Sequence, residues 1–130
     1  ESVLERDFEV VSPDMTLGEM VSVISVSHRN SFPVVDERGV LVGIVELDNV
    51  RNIMFRPELY DRYKVRKIMV TPEVKVSSAT PMTEVMRLFD ETKAWKMPVV
   101  DEEGRYLGFI SKSAIFNSYR EVLNRTFIGD

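Results

Sequence analysis

Slid against itself by 65 residues, half its length of 130, the chain matches without a gap. Phe32-Pro33-Val34-Val35-Asp36-Glu37-Arg38-Gly39 falls on Met97-Pro98-Val99-Val100-Asp101-Glu102-Glu103-Gly104. Gly43 falls on Gly108, Val11-Ser12 on Val76-Ser77, Glu19 on Glu84 and Asn52 on Asn117, making eleven identities between 11 and 55. This is a tandem duplication, so the chain must fold as two copies of one small unit. Where one copy is ambiguous, the other can decide.

Each copy reads strand–helix–strand–strand–helix. In the first, Thr16-Leu17-Gly18-Glu19 is a capping box. Leu17, Met20, Val21 and Ile24 follow at helical spacing. Val21–Ser27 is β-branched enough to pass for a strand, but its counterpart Met86–Thr92 has better helix formers and settles the segment as helix. The second helix is expected to open with Thr80 as cap and Pro81 at its first position. Phe32–Val35, the turn Asp36–Gly39 and Leu41–Glu46 predict a hairpin, and Leu47–Met54 a closing helix. The second copy repeats this through Val99-Val100, Asp101–Gly104, Tyr106–Ser111 and Lys112–Leu123. The expected class is α/β in the broad sense (α+β), with two β-α-β-β-α repeats about a pseudo-twofold axis and a right-handed crossover in each. Repeat 1 is placed at 1–54, a linker with short helices at Pro57 and at Val65–Met69 over 55–68, and repeat 2 at 69–130. Sixty residues bury too little to stand alone, so the copies should pack together and leave clefts between them.

Composition removes whole classes of function. There is no cysteine, which excludes disulfides, thiolate nucleophiles and Cys-based metal sites. A single histidine, His28, leaves no multi-His metal site, and any Ser–His–Asp triad would have to run through it. The net charge of −4 argues against binding a nucleic-acid backbone. Val40–Val45 is the longest apolar run, far short of a membrane span, and Glu1–Asp7 is too charged for a signal peptide. No P-loop or Gly-x-Gly-x-x-Gly occurs, and nothing assembles a nucleophile, a base and an oxyanion site. A soluble, mildly acidic, non-enzymatic domain is expected.

The Pro-Val-Val-Asp strands (Pro33–Asp36, Pro98–Asp101) and the Gly-apolar-apolar strands (Gly43–Val45, Gly108–Ile110) resemble a tandem pair of CBS domains, a Bateman module. Val65–Met69 with Thr71-Pro72 is similar to the family's usual opening. More narrowly, Ile53–Asp61, Lys93–Pro98 and Ser111–Arg120 resemble the C-terminal CBS pair of bacterial CLC-type chloride channels and transporters. That resemblance implies a cytoplasmic domain at the inner membrane, attached to a transmembrane transport domain, and the lack of a start methionine at Glu1 fits a cut-out domain.

The family resemblance further implies a regulatory module, often dimeric, that takes ATP, ADP or AMP as a regulatory ligand between the repeats and requires no cofactor or metal. Adenine would meet the residues just before Pro-Val-Val: Asn30, Ser31 and Phe32 in one copy, Trp95, Lys96 and Met97 in the other. Val10 and Val74, each just ahead of its repeat's first strand, are further candidate ligand contacts. Ribose would be held by a Thr/Ser and an Asp three residues later. Here those positions are Glu46 and Asn49, with Asp48 adjacent, and then Ser111 and Ala114, with Ser113 adjacent. Neither copy has the full ribose signature, and Glu46 would repel a phosphate.

Each candidate has a plainer reading beside it. Trp95 serves equally as packing between repeats or in a dimer interface, and Asn30-Ser31 as an ordinary polar loop edge. His28 reads as a residue at a helix end, and the acidic pairs as solvated turns. Lys64–Lys67 is a wet linker face or a contact to anionic headgroups or a transmembrane partner. Met20, Met82 and Met86 read as core. Two function classes remain: a nucleotide-sensing regulatory domain, and a dimerisation scaffold with decayed sites. A regulatory module within a soluble enzyme is a variant of the first.

Overall fold

The computed structural model describes residues 3–128; Glu1-Ser2 and Gly129-Asp130 lie outside. Strand β1 (Leu4–Glu5) leads to helix α1 (Leu17–Val26), the hairpin strands β2 (Ser31–Val35) and β3 (Leu41–Glu46), and helix α2 (Leu47–Val50). A 3-10 turn at Pro57–Leu59 and helix α3 (Val65–Ile68) connect to β4 (Val76–Ser77), α4 (Met82–Thr92), β5 (Lys96–Val100), β6 (Tyr106–Ser111) and α5 (Lys112–Ile128). Two β-α-β-β-α units are present, as the duplication requires. Among the described residues no helix is long and apolar enough to cross a membrane.

The first helix forms where its cap predicts. Thr16 Oγ1 accepts from the Glu19 amide at 3.1 Å, and Glu19 Oε1 accepts from the Thr16 amide at 2.9 Å, so two otherwise orphaned donors are satisfied. Leu17 and Met20 are fully buried, and the β-branched stretch stays helical to Val26. The second helix departs from expectation: it begins at Met82, and Pro81 sits outside it with extended backbone. Thr80 Oγ1 accepts from the Ser77 amide at 3.0 Å, so its hydroxyl closes the preceding turn and does not cap the helix. Met82, in the first turn, is exposed, whereas Met86 packs against the core. Helix α2 is also shorter than the expected Leu47–Met54. The Ile53 and Met54 amides both bond to the Val50 carbonyl, and Pro57 soon disfavours helical backbone before it.

In the second unit β5 pairs in parallel with β4 and antiparallel with β6. The first unit does the same with less regularity: Val11 bridges Val34 in parallel, and β2 pairs antiparallel with β3. The outermost partner of each sheet crosses over from the other unit's side of the chain. Strand β1 pairs with β6, Glu5 opposite Phe109, although it opens the first repeat. Val70, at the start of the second repeat, pairs with Ile44 on β3 through two 2.8 Å hydrogen bonds. Residues 5 and 109 become 70 and 44 under the 65-residue offset, so the crossover is symmetric.

The hairpin turns meet at the symmetry axis. Gly39 and Gly104 have φ of 89° and 84°, backbone that glycine adopts without a Cβ clash. The Leu41 amide donates to the Gly104 carbonyl at 3.0 Å and the Tyr106 amide to the Gly39 carbonyl at 2.9 Å, a pair that the offset exchanges. Each turn is closed by its aspartate: Asp36 Oδ1 accepts from the Arg38 and Val40 amides, Asp101 Oδ1 from the Glu103 and Arg105 amides, all at 2.9 Å. The Arg105 backbone N–H, with the Arg105 guanidinium and the Glu103 amide, holds the Asp101 carboxyl below its ordinary range. Each unit has its own core, one around Phe32, Val45 and Met20 and one around Phe89, Met97 and Ile110. A third cluster of Phe8, Ile44 and Phe109, flanked by Tyr106, joins them. In it the Phe8 and Phe109 rings stack with centroids 4.4 Å apart.

Candidate functional site

Strand register builds one corner in each unit. The first residue of each hairpin faces the last, Ser31 opposite Glu46 and Lys96 opposite Ser111. The residue just before each hairpin accepts from the first amide of the next helix: Asn30 from Leu47 and Trp95 from Lys112, both at 2.8 Å. Loop, strand end and helix start are thereby latched together. Identical backbone carries different chemistry at the two corners.

In the first corner, Ser31 is 1% exposed and its Oγ donates to Glu46 Oε1 at 2.6 Å. The hydroxyl that could meet a ligand is committed to the carboxylate. Asp48 forms an ion pair with Arg51 on the surface, and Asn49 is exposed on α2. Phe32 lies in the first core, and Val10 is exposed to solvent.

The second corner opens into a cleft of about 350 Å³ between the units. Trp95, Lys96, Ser111 and Ser113 line it from the second unit, and Asn30 reaches it from the first. Trp95 is 78% exposed, with the Lys112 ammonium 5.7 Å from its ring centroid. It is therefore not packed between the repeats. Ser111 Oγ accepts from the Ala114 amide at 3.1 Å, capping α5, and keeps its own proton to donate. Helix α5 begins here, so its positive dipole end faces the cleft. Met97 lies in the second core and Val74 packs half-buried against it. Thus the cleft gathers five of the twelve candidates, and the other seven stand apart from it.

Four further residues complete the cleft wall: Glu5, Phe8, His28 and Arg29. The Arg29 guanidinium lies 3.9 Å over the Phe8 ring, its Nη1 is 3.6 Å from Glu5 Oε1, and it also pairs with Asp7. His28 lies exposed beyond the end of α1, on the cleft, and not on the helix itself. In sequence, Arg29 is a cation just ahead of the polar edge Asn30-Ser31, which is the signal that could have found it. Glu5 and Phe8 arrive only through the strand crossover. Nearby, Tyr106 Oη is buried with no protein partner, and burial pushes the phenol up to about 12. Among the described residues no group of three or more His, Asp or Glu is placed to hold a metal ion.

The chain matches the CBS domain family twice, over residues 1–56 and 65–121. It belongs to that family, as a tandem CBS pair. An inosine-5'-monophosphate dehydrogenase of Bifidobacterium longum is 34% identical over 113 residues, which cover 85% of this chain and 20% of that enzyme. The chain thus spans about a fifth of the length of the dehydrogenases it matches. Among solved structures, CBSX2 in complex with AMP superposes with a TM-score of 0.75 at 21% identity, covering 94% of this chain and 96% of that one. The cytosolic domain of the Mg2+ channel MgtE in complex with ATP gives 0.73 at 26% identity, over 89% of this chain and 46% of that one.

Proposed function

We propose that this CBS pair is a regulatory sensor that binds an adenine nucleotide in the second-corner cleft. The observation that carries the reading is the convergence there of an exposed indole, a free serine proton, cations from both units and a helix N-terminus. A purine stacks on Trp95, Ser111 donates to a ribose oxygen, and Lys96 and Arg29 neutralise phosphate. The AMP complex of CBSX2 and the ATP complex of the MgtE domain support adenine nucleotide as the ligand class. The first corner, with Ser31 bound to Glu46, offers a carboxylate to phosphate and takes none. Because the cleft walls come from both units, occupancy biases their packing, by no more than the ligand's differential affinity for the two arrangements.

The module regulates an attached domain. The resemblance of Ile53–Asp61 and Lys93–Pro98 to CLC-type proteins supports a membrane transport domain, with the module at the cytoplasmic face. The groove between α4 and α5, lined by Met86, Phe89, Ile115 and exposed Phe116, supports pairing with a second copy.

Trp95 is the chain's single tryptophan, so its fluorescence reports the site directly. Titration with ATP, ADP, AMP and GTP should give a saturable change with the adenine nucleotides. Thermal stabilisation should reach about 2.7 kcal/mol at a hundredfold excess over Kd. Neither signal with any nucleotide, together with a tight dimer in sedimentation, refutes the sensor and leaves a dimerisation scaffold.

A further inference from the structure

We infer that Arg29 takes phosphate by exchange: Glu5 and Asp7 of the N-terminal segment are the counter-anions that an incoming phosphate displaces from it. The inference rests on the nucleotide reading and adds how occupancy reaches strand β1. Arg29 is the one side chain of the cleft that is both held in place and already bound to anions. Its guanidinium stacks on Phe8, whose ring stacks in turn on Phe109, so its plane is fixed before any ligand arrives. The fork of N–H donors that now faces Glu5 and Asp7 matches a phosphate as well as a carboxylate.

The exchange is cheap in one direction. The Arg29, Glu5 and Asp7 side chains are 31%, 38% and 79% exposed, so these pairs hold weakly. A phosphate carrying more than one charge outcompetes them. Glu5 has a second role, since its backbone pairs with Phe109 and anchors a strand only two residues long. When phosphate takes Arg29, the two carboxylates are released to solvent and the strand loses a side-chain anchor. Occupancy therefore loosens β1 from the edge of β6.

The test uses the 130-residue chain with adenosine, AMP and ATP as probes, by calorimetry. Arg29→Gln should weaken ATP about tenfold and leave adenosine unchanged. The double variant Glu5→Gln/Asp7→Asn should tighten ATP about fivefold. In the Arg29→Gln background that same double change should have no effect on ATP, because its benefit passes through Arg29. A gain from the double change that persists without Arg29 would show a general field effect and overturn the exchange. ATP binding that ignores Arg29→Gln overturns Arg29 as the phosphate ligand while leaving the nucleotide reading intact. No binding of any probe to the unaltered chain overturns both. Hydrogen exchange at Glu5 should speed up with ATP and not with adenosine; unchanged protection refutes the coupling to β1.

Discussion

Glycines 43 and 108 occupy the same position in the two repeats, and the structure predicts unequal costs for the same substitution. A Cβ at Gly108 would sit 2.5 Å from the Glu5 carbonyl oxygen and 3.0 Å from Leu4 Cδ1. A Cβ at Gly43 would sit 2.6 Å from Met69 Sδ and 2.9 Å from Met69 Cγ. The first obstacle is backbone within a two-residue strand, while the second is the end of a flexible side chain that can swing away. Gly108→Ala must push β1 off β6, losing about two backbone hydrogen bonds at ~1 kcal/mol each and part of the burial of Leu4. Gly43→Ala asks for a Met69 rotamer change and a slight shift of Met69 Cβ, 3.2 Å away, partly offset by the lower entropy of the unfolded chain, at about 1 kcal/mol or less. Urea denaturation of the two variants should separate them by about 2 kcal/mol, with hydrogen exchange at Glu5 accelerated only in Gly108→Ala. Equal destabilisation, or undisturbed exchange at Glu5 in Gly108→Ala, would refute the crossover packing from which the difference is derived.

Thr16→Ala removes one half of the α1 capping box and should cost about 1 kcal/mol by thermal or urea unfolding, with the loss of helix visible by circular dichroism. Glu46→Ala leaves the buried Ser31 hydroxyl without its acceptor and should cost about 1–3 kcal/mol, whereas adding Ser31→Ala to it should recover part of that loss in a double-mutant cycle. Tyr106→Phe removes a buried, unpartnered hydroxyl and should leave stability unchanged or raised. The Tyr106 phenol has its folded-state value raised to about 12, so its contribution is intact below the ordinary phenol value near 10 and is lost as pH rises through about 12. Stability measured between those pH values should therefore fall in the unaltered chain and fall less in Tyr106→Phe.

Most of the scaffold is legible because its signals are local. The α1 cap, the Asp-x-x-Gly turns and the switch from helical to strand patterning each lie within a few residues of what they determine. The 65-residue offset carries further, since it pairs Ser31–Glu46 with Lys96–Ser111 and exchanges the two hydrogen bonds at the axis. Local competition explains the misplaced helix ends: Thr80 Oγ1 accepts from the Ser77 amide behind it and not from the helix ahead, and Pro57 opens a separate 3-10 turn after α2. The partner of β1 is another matter. Two residues carry no periodicity, and nothing between Leu4 and Ile110 connects them except the fold.

That illegible strand bears on why the two corners differ. Duplication supplies the same backbone twice, so symmetry by itself would give two equivalent sites. Three substitutions break it: Glu46 against Ser111, Ser31 against Lys96, and Asn30 against Trp95. Each moves the second corner toward an aromatic, cationic, hydrogen-donating surface and the first toward a closed, acidic one. The crossover adds a fourth asymmetry, because the positions corresponding to Glu5 and Phe8 in the other half are Val70 and Glu73. Only the second corner receives an anionic arm and an aromatic shelf for Arg29. Sites in a duplicated fold can thus diverge through segments that belong to one repeat in sequence and pack against its partner in space.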